Sequence, residues 1–109
     1  MIEKLRKITV NVNRKVETDE KLKEIVKAKD RTIVLTFTDE KTYLITIKDG
    51  KVLDPVEGSV DEPTLKVTTD VQTMEKLMSR KLNPIMAYAM KKIRVDGPID
   101  EVMLLKDFF

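Results

Sequence analysis

Few residues in this chain could do chemistry, and the missing ones are as informative as those present. The 109-residue sequence contains no histidine and no cysteine. That removes Ser–His and Cys–His nucleophilic catalysis, the commonest general base, and every zinc site built on nitrogen or sulfur ligands. Two serines remain, Ser59 and Ser79. Ser79 precedes Lys81 closely enough for a Ser–Lys pair, but a serine at a helix end is far more often a polar surface residue. Acidic pairs occur at Asp19-Glu20, Asp39-Glu40, Asp61-Glu62 and Asp100-Glu101. Each falls at a turn or an expected helix start, where acids solvate the bend or complement the helix dipole. There is no Gly-rich phosphate loop and no calcium-loop spacing. These absences point away from an enzyme, and no catalytic residue, metal or cofactor is expected.

Two features carry more signal. From Lys76 to Arg94 the chain holds six basic residues (Lys76, Arg80, Lys81, Lys91, Lys92 and Arg94) and no acid. Such a run is by default a solvated face; its alternative is an anion-contacting rim for a lipid headgroup, a phosphate or a membrane surface. The last third is also rich in apolar residues, among them Met74, Leu77, Met78, Leu82, Ile85, Met86, Tyr88 and Met90. A helix apolar on nearly all sides needs cover all round, and methionine supplies adaptable surface. An apolar cavity or a subunit interface would provide that cover.

The elements that position these residues follow from periodicity. Asp19 precedes a helical stretch with Leu22, Ile25 and Val26 on one side. Arg31–Thr38 alternates, with Ile33, Leu35 and Phe37 on one face; Lys41–Lys48 alternates with Tyr43, Ile45 and Ile47. Asp49-Gly50 marks a tight hairpin, because both residues accept positive φ. Lys51–Leu53 starts a third strand, Asp54–Pro63 reads as a loop, and Thr64–Thr68 is a fourth strand. Asp70 caps a helix carrying Val71, Met74, Leu77 and Met78. Asn83-Pro84 starts another, reaching about Met90. Lys92–Val95 is a fifth strand, and Gly97-Pro98 leads into a final helix from Ile99 to Phe109, expected to act as a lid. Lys4–Lys15 is ambiguous between strand and helix.

With 21 basic and 19 acidic residues, the net charge is +2. Nucleic-acid binding is not implied by that balance. The length suits one domain spanning residues 1–109. Cysteine absence and the lack of an apolar leader or span suggest a cytoplasmic protein.

The ordered set Lys81-Leu82-Asn83-Pro84, Ala87-Tyr88 and Lys92-Ile93-Arg94-Val95-Asp96-Gly97 resembles the C-terminal signature of sterol carrier protein type-2 domains. The Asp49-Gly50-Lys51-Val52 hairpin and the Thr64–Thr68 strand resemble that family too. Where the family usually has glycine, this chain has Arg80 and Lys91. The resemblance implies an α+β fold: a five-stranded, mainly antiparallel sheet with helices packed on one face, enclosing an apolar tunnel. It makes the first segment, to Lys15, helical. It also implies non-enzymatic binding or transfer of a sterol, fatty acid, acyl-CoA or phospholipid. The tunnel would be lined by Ile33, Leu35, Phe37, Ile45, Leu77, Met78, Met86, Met103 and Phe108. The basic run, and not the resemblance, offers Arg80, Lys81 and Lys91 as an anionic-headgroup rim. Transient contact with a membrane surface would accompany transfer. The alternative is a homodimeric interaction module whose apolar helices form the subunit interface.

Overall fold

The computed structural model of the chain describes residues 1–104. The chain opens with α1 (Ile2–Thr18) and α2 (Glu20–Ala28), followed by β1 (Arg31–Phe37), β2 (Thr42–Lys48), β3 (Lys51–Val52), β4 (Val56–Glu57) and β5 (Leu65–Thr69). Then come α3 (Val71–Met78), α4 (Pro84–Ala89), β6 (Arg94–Asp96) and α5 (Ile99–Leu104).

The ambiguous first segment is a helix. Its buried residues are Leu5, Thr9, Val12 and Val16, a stripe with helical rather than alternating period. The strand-like run is split accordingly: Val12 is buried, Ile8 half-buried and Val10 exposed. Tertiary packing has overridden the β-branched residues' local preference. The Asp19 carboxylate accepts the Leu22 N–H at 3.1 Å and so starts α2. Asp70 does the same for α3, accepting from Thr73 N at 2.7 Å. That hydrogen bond from the Thr73 backbone holds the Asp70 carboxyl below its ordinary value.

The sheet runs β3-β2-β1-β5-β6, with β4 also on β2. All these pairings are antiparallel except β1–β5, which is parallel. Two readings change here. Val56–Glu57, inside the expected loop, adds a short strand to β2. The last strand lies at Arg94–Asp96 rather than Lys92–Val95. The hairpin is as expected: Asp49 and Gly50 have φ of 53° and 78°, a pair of left-handed residues that matches strand twist.

Register sets the inward face. Ile33 stands beside Ile45 and Leu65, and Leu35 beside Tyr43 and Val67. With Phe37, Ile47 and Val52 they form one core with Leu5, Val12, Val16, Leu22, Val26, Met74 and Leu104 from the helices. The helices therefore cover this one face. On the other face Thr32, Thr36, Thr46, Lys66 and Thr68 alternate with them, together with Leu44 and the buried Val34. The side chain of Asn13 closes part of the sheet edge, exchanging hydrogen bonds with the Val52 N–H and C=O at 2.9 Å each.

The final helix is fastened by charge. The Glu101 carboxylate, 3% exposed, accepts from Arg31 Nε at 2.6 Å and pairs with Lys29 Nζ at 2.7 Å. Arg31 also donates to the Ile25 and Lys29 carbonyls. The Asp100-Glu101 pair is thus more than a helix-start feature. A Cβ at Gly97 would meet Leu65 Cδ2 at 2.5 Å and the Thr64 carbonyl at 2.9 Å, so only glycine lets this turn lie so close to β5. The expected course of the final helix beyond Leu104, including Phe108, lies outside the described residues.

Candidate functional site

The inward face of the sheet does not close completely against the helices. Between them lies a cavity of about 70 Å³. α1 supplies Leu5, Ile8, Thr9 and Val12; the sheet supplies Ile33, Leu35, Ile45, Val52 and Val67; α3 supplies Met74 and Leu77; Ile93 completes the wall. Thr9 is the one residue here with a polar side chain, and its hydroxyl already donates to the Leu5 carbonyl at 3.0 Å. No polar group is left to recognise anything inside. Such a space stays dry and accepts only apolar matter.

Its size is informative. Pockets that bury a small-molecule ligand are typically about 300–1,000 Å³. The cavity is smaller than that, and among the described residues no open tunnel is present.

Outside the cavity a groove of about 560 Å³ runs between α1 and α3. α1 lines it with Lys7, Ile8, Asn11, Arg14, Lys15 and Thr18; Leu77, Met78 and Arg80 form the other side. Ile8 and Leu77 belong to both spaces. They are the partition between an apolar interior and a basic exterior.

Two helix ends, one of them at the groove, share an unusual backbone. Arg80 and Lys91 both have φ of 60°. After α3, Arg80 N donates to Leu77 O and Lys81 N to Lys76 O; after α4, Lys91 N donates to Tyr88 O and Lys92 N to Ala87 O. This paired pattern normally places glycine at the left-handed position. An L-residue there is disfavoured by roughly 1 kcal/mol.

The model of the SCP-2 sterol transfer family matches residues 11–109. The chain belongs to that family. No curated protein matches it. Among solved structures, the sterol carrier protein domain 2 of Helicoverpa armigera has TM-score 0.65 and 25% identity, covering 95% of this chain and 84% of that one. The palmitated SCP2L2 of Aedes aegypti has TM-score 0.55 and 18% identity, covering 85% and 90%. The sec-alkylsulfatase Pisa1 from Pseudomonas sp. also matches, with TM-score 0.64 and 20% identity over 79% of this chain, yet that match spans only 13% of its own length. The fold thus occurs both as a separate domain and as a small part of a much larger enzyme chain.

Within this SCP-2 fold the expected tunnel residues do not all meet. Ile33, Leu35, Ile45 and Leu77 line the cavity. Phe37 is buried but stands at the far end of β1, edge-on to Tyr43 at 6.0 Å between ring centroids. Met78 lines the basic groove instead. Met86 is 54% exposed and Met103 44% exposed, and neither lines the cavity. Phe108 is outside the described residues. Of the expected rim, Arg80 lines the groove, Lys81 faces a neighbouring depression with Lys4, Lys7 and Glu75, and Lys91 is exposed at the end of α4. The α1 contribution, Leu5, Ile8 and Val12 inside with Lys7, Arg14 and Lys15 outside, escaped sequence reasoning. Reading that segment as a helix and following its two faces would have found both sets.

Among the described residues α4 does not receive the cover expected for so apolar a helix. Only Ala87 is buried, while Ile85, Met86, Tyr88 and Met90 are about half-exposed. Among the described residues no helix is long and apolar enough to cross a membrane.

Proposed function

We propose that the protein binds the hydrocarbon chain of a single lipid between α1, the sheet and α3, and carries it without chemical change. The observation that supports this reading is the apolar cavity, whose single polar wall residue is already satisfied by its own helix. Family membership supports the same ligand class, and a structural relative is described as palmitated. The absence of histidine and cysteine from the chain favours binding over catalysis. A long-chain fatty acid or acyl-CoA is expected to bind at micromolar affinity, on the order of −8 kcal/mol. Displacement of a fluorescent fatty acid and titration calorimetry test it; no saturable binding overturns it.

The exposed face of α4 favours a membrane surface over a second copy as its partner. Lys81, Lys91, Lys92 and Arg94 flank the helix and are all exposed. Two copies meeting there would bring like charges together, whereas an anionic bilayer complements them. In vesicle co-sedimentation the protein is expected to bind phosphatidylserine-containing vesicles. Met86→Asp should remove most of that binding while leaving fatty-acid affinity within about twofold, because this side chain lies off the cavity wall. A dimer by light scattering that Met86→Asp dissolves would instead support the homodimeric module. The cysteine-free, charged composition suits a cytoplasmic carrier that visits such surfaces.

A further inference from the structure

We infer that the α1–α3 groove is the seat of the ligand's anionic head, and that Ile8 and Leu77 are the door through which the attached chain passes into the cavity. The inference rests on the lipid-carrier reading and specifies which lipids are held: amphiphiles with a carboxylate or phosphate head.

Three observations meet at this groove. The first is its charge. Lys7, Arg14 and Lys15 project along one side of α1, Arg80 stands opposite, and no acid lines the space. Among the described residues none of the four takes part in an ion pair. Four cations gathered without a counter-charge repel one another, and a bound anion relieves that repulsion. Arg14 and Arg80 can also grip a carboxylate or phosphate through paired N–H donors.

The second is continuity. Ile8 and Leu77 line both the groove and the cavity. The polar and apolar halves of an amphiphile therefore have adjoining sites, with one pair of side chains between them. Ile8 is only half-buried, so its movement exposes little that is not already in water.

The third is backbone strain retained at Arg80. Its φ of 60° sits where glycine would relax the chain. Strain of this kind clusters at functional sites; Lys91 shares the same φ away from the groove, so at Arg80 the strain carries weight only together with its place in the groove wall. Arg80 faces the groove, and glycine would remove the one cation supplied from the α3 side.

The test is a comparison of palmitate, hexadecyl phosphate and hexadecanol, with inorganic phosphate as the headgroup alone. In low salt, the wild-type protein should bind palmitate and hexadecyl phosphate at least tenfold more tightly than hexadecanol, and the preference should shrink in high salt. Arg80→Gly should melt at the same or a higher temperature than wild type, bind hexadecanol unchanged, and lose most of the preference. Lys7→Ala/Arg14→Ala should reduce it similarly from the other wall. Equal affinities for palmitate and hexadecanol in the wild type overturn the headgroup site while leaving the carrier reading intact. Binding of none of the three amphiphiles overturns both. Phosphate that binds as tightly as hexadecyl phosphate overturns the door, since the chain then contributes nothing. A preference unchanged in both variants moves the headgroup elsewhere.

Discussion

Replacing Glu101 with alanine is expected to lower the unfolding free energy by about 3–5 kcal/mol, the usual result of leaving one half of a buried ion pair behind. Arg31 is 6% exposed and Glu101 3% exposed, so neither charge can fall back on water. Arg31 would keep its hydrogen bonds to the Ile25 and Lys29 carbonyls. Neutral carbonyls do not balance a guanidinium. Domains of this size are stable by only about 5–15 kcal/mol, so denaturant melts should show a large fall in midpoint. The paired variant Arg31→Met/Glu101→Leu should recover most of it, since removing both charges also removes their desolvation. A Glu101→Ala protein within about 1 kcal/mol of wild type would show that Arg31 finds solvent or another partner.

The same pair predicts a pH response. Burial alone pushes the Glu101 carboxyl up, but hydrogen bonds from Lys29 and Arg31, with their charges, outweigh it and hold it below the ordinary value. A carboxylate that titrates lower when folded than when unfolded adds stability that is fully present above the unfolded value. That stability drains as pH falls from about 4.5 through the lower folded value. Wild type should lose stability in this acid range more steeply than Arg31→Met/Glu101→Leu.

Ile45→Phe is expected to weaken fatty-acid binding by about tenfold to a hundredfold, or about 1.4–2.8 kcal/mol. Ile45 lines the cavity, faces Ile33 across the β1–β2 pair and is only part-buried. A ring fits a pleated surface well and fills space that a hydrocarbon chain would have to enter. The cavity is about 70 Å³, so the apo protein should accept the ring with little loss of melting temperature, while the liganded state would be overpacked by about 1–3 kcal/mol. Displacement assays and melts on one sample check both halves. Unchanged affinity in a folded Ile45→Phe protein would place the chain away from the sheet face.

Much of the framework is legible without coordinates because it is local. Positive φ at Asp49-Gly50, the caps at Asp19 and Asp70, and the alternation through Ile33, Leu35, Tyr43, Ile45 and Ile47 depend on residues adjacent or a few positions apart. The lack of histidine and cysteine is likewise a property of composition, and it restricts the available chemistry in any fold.

Position in three dimensions is another matter. Nothing local separates Leu77 from Met78, neighbours on one helix; packing turns the first toward both the cavity and the groove and leaves the second off the cavity wall, lining the groove and the depression beside it. Met86 and Met90 look like core, yet α4 is anchored through Ala87 and leaves them half-exposed. Lys7, Arg14 and Lys15 are distant in sequence from Arg80 and meet it only because α1 lies beside α3. Glu101 sits beside Asp100 in what reads as a solvated helix start, and becomes a buried anion because α5 returns to Arg31 at the start of β1. Amino-acid sequence alone determined most of the elements, though not α1 or β4, together with the turn chemistry, the family resemblance and the poverty of catalytic groups. Tertiary structure decided which apolar residues enclose space and which cations share a groove, because those outcomes depend on the meeting of segments far apart in the chain.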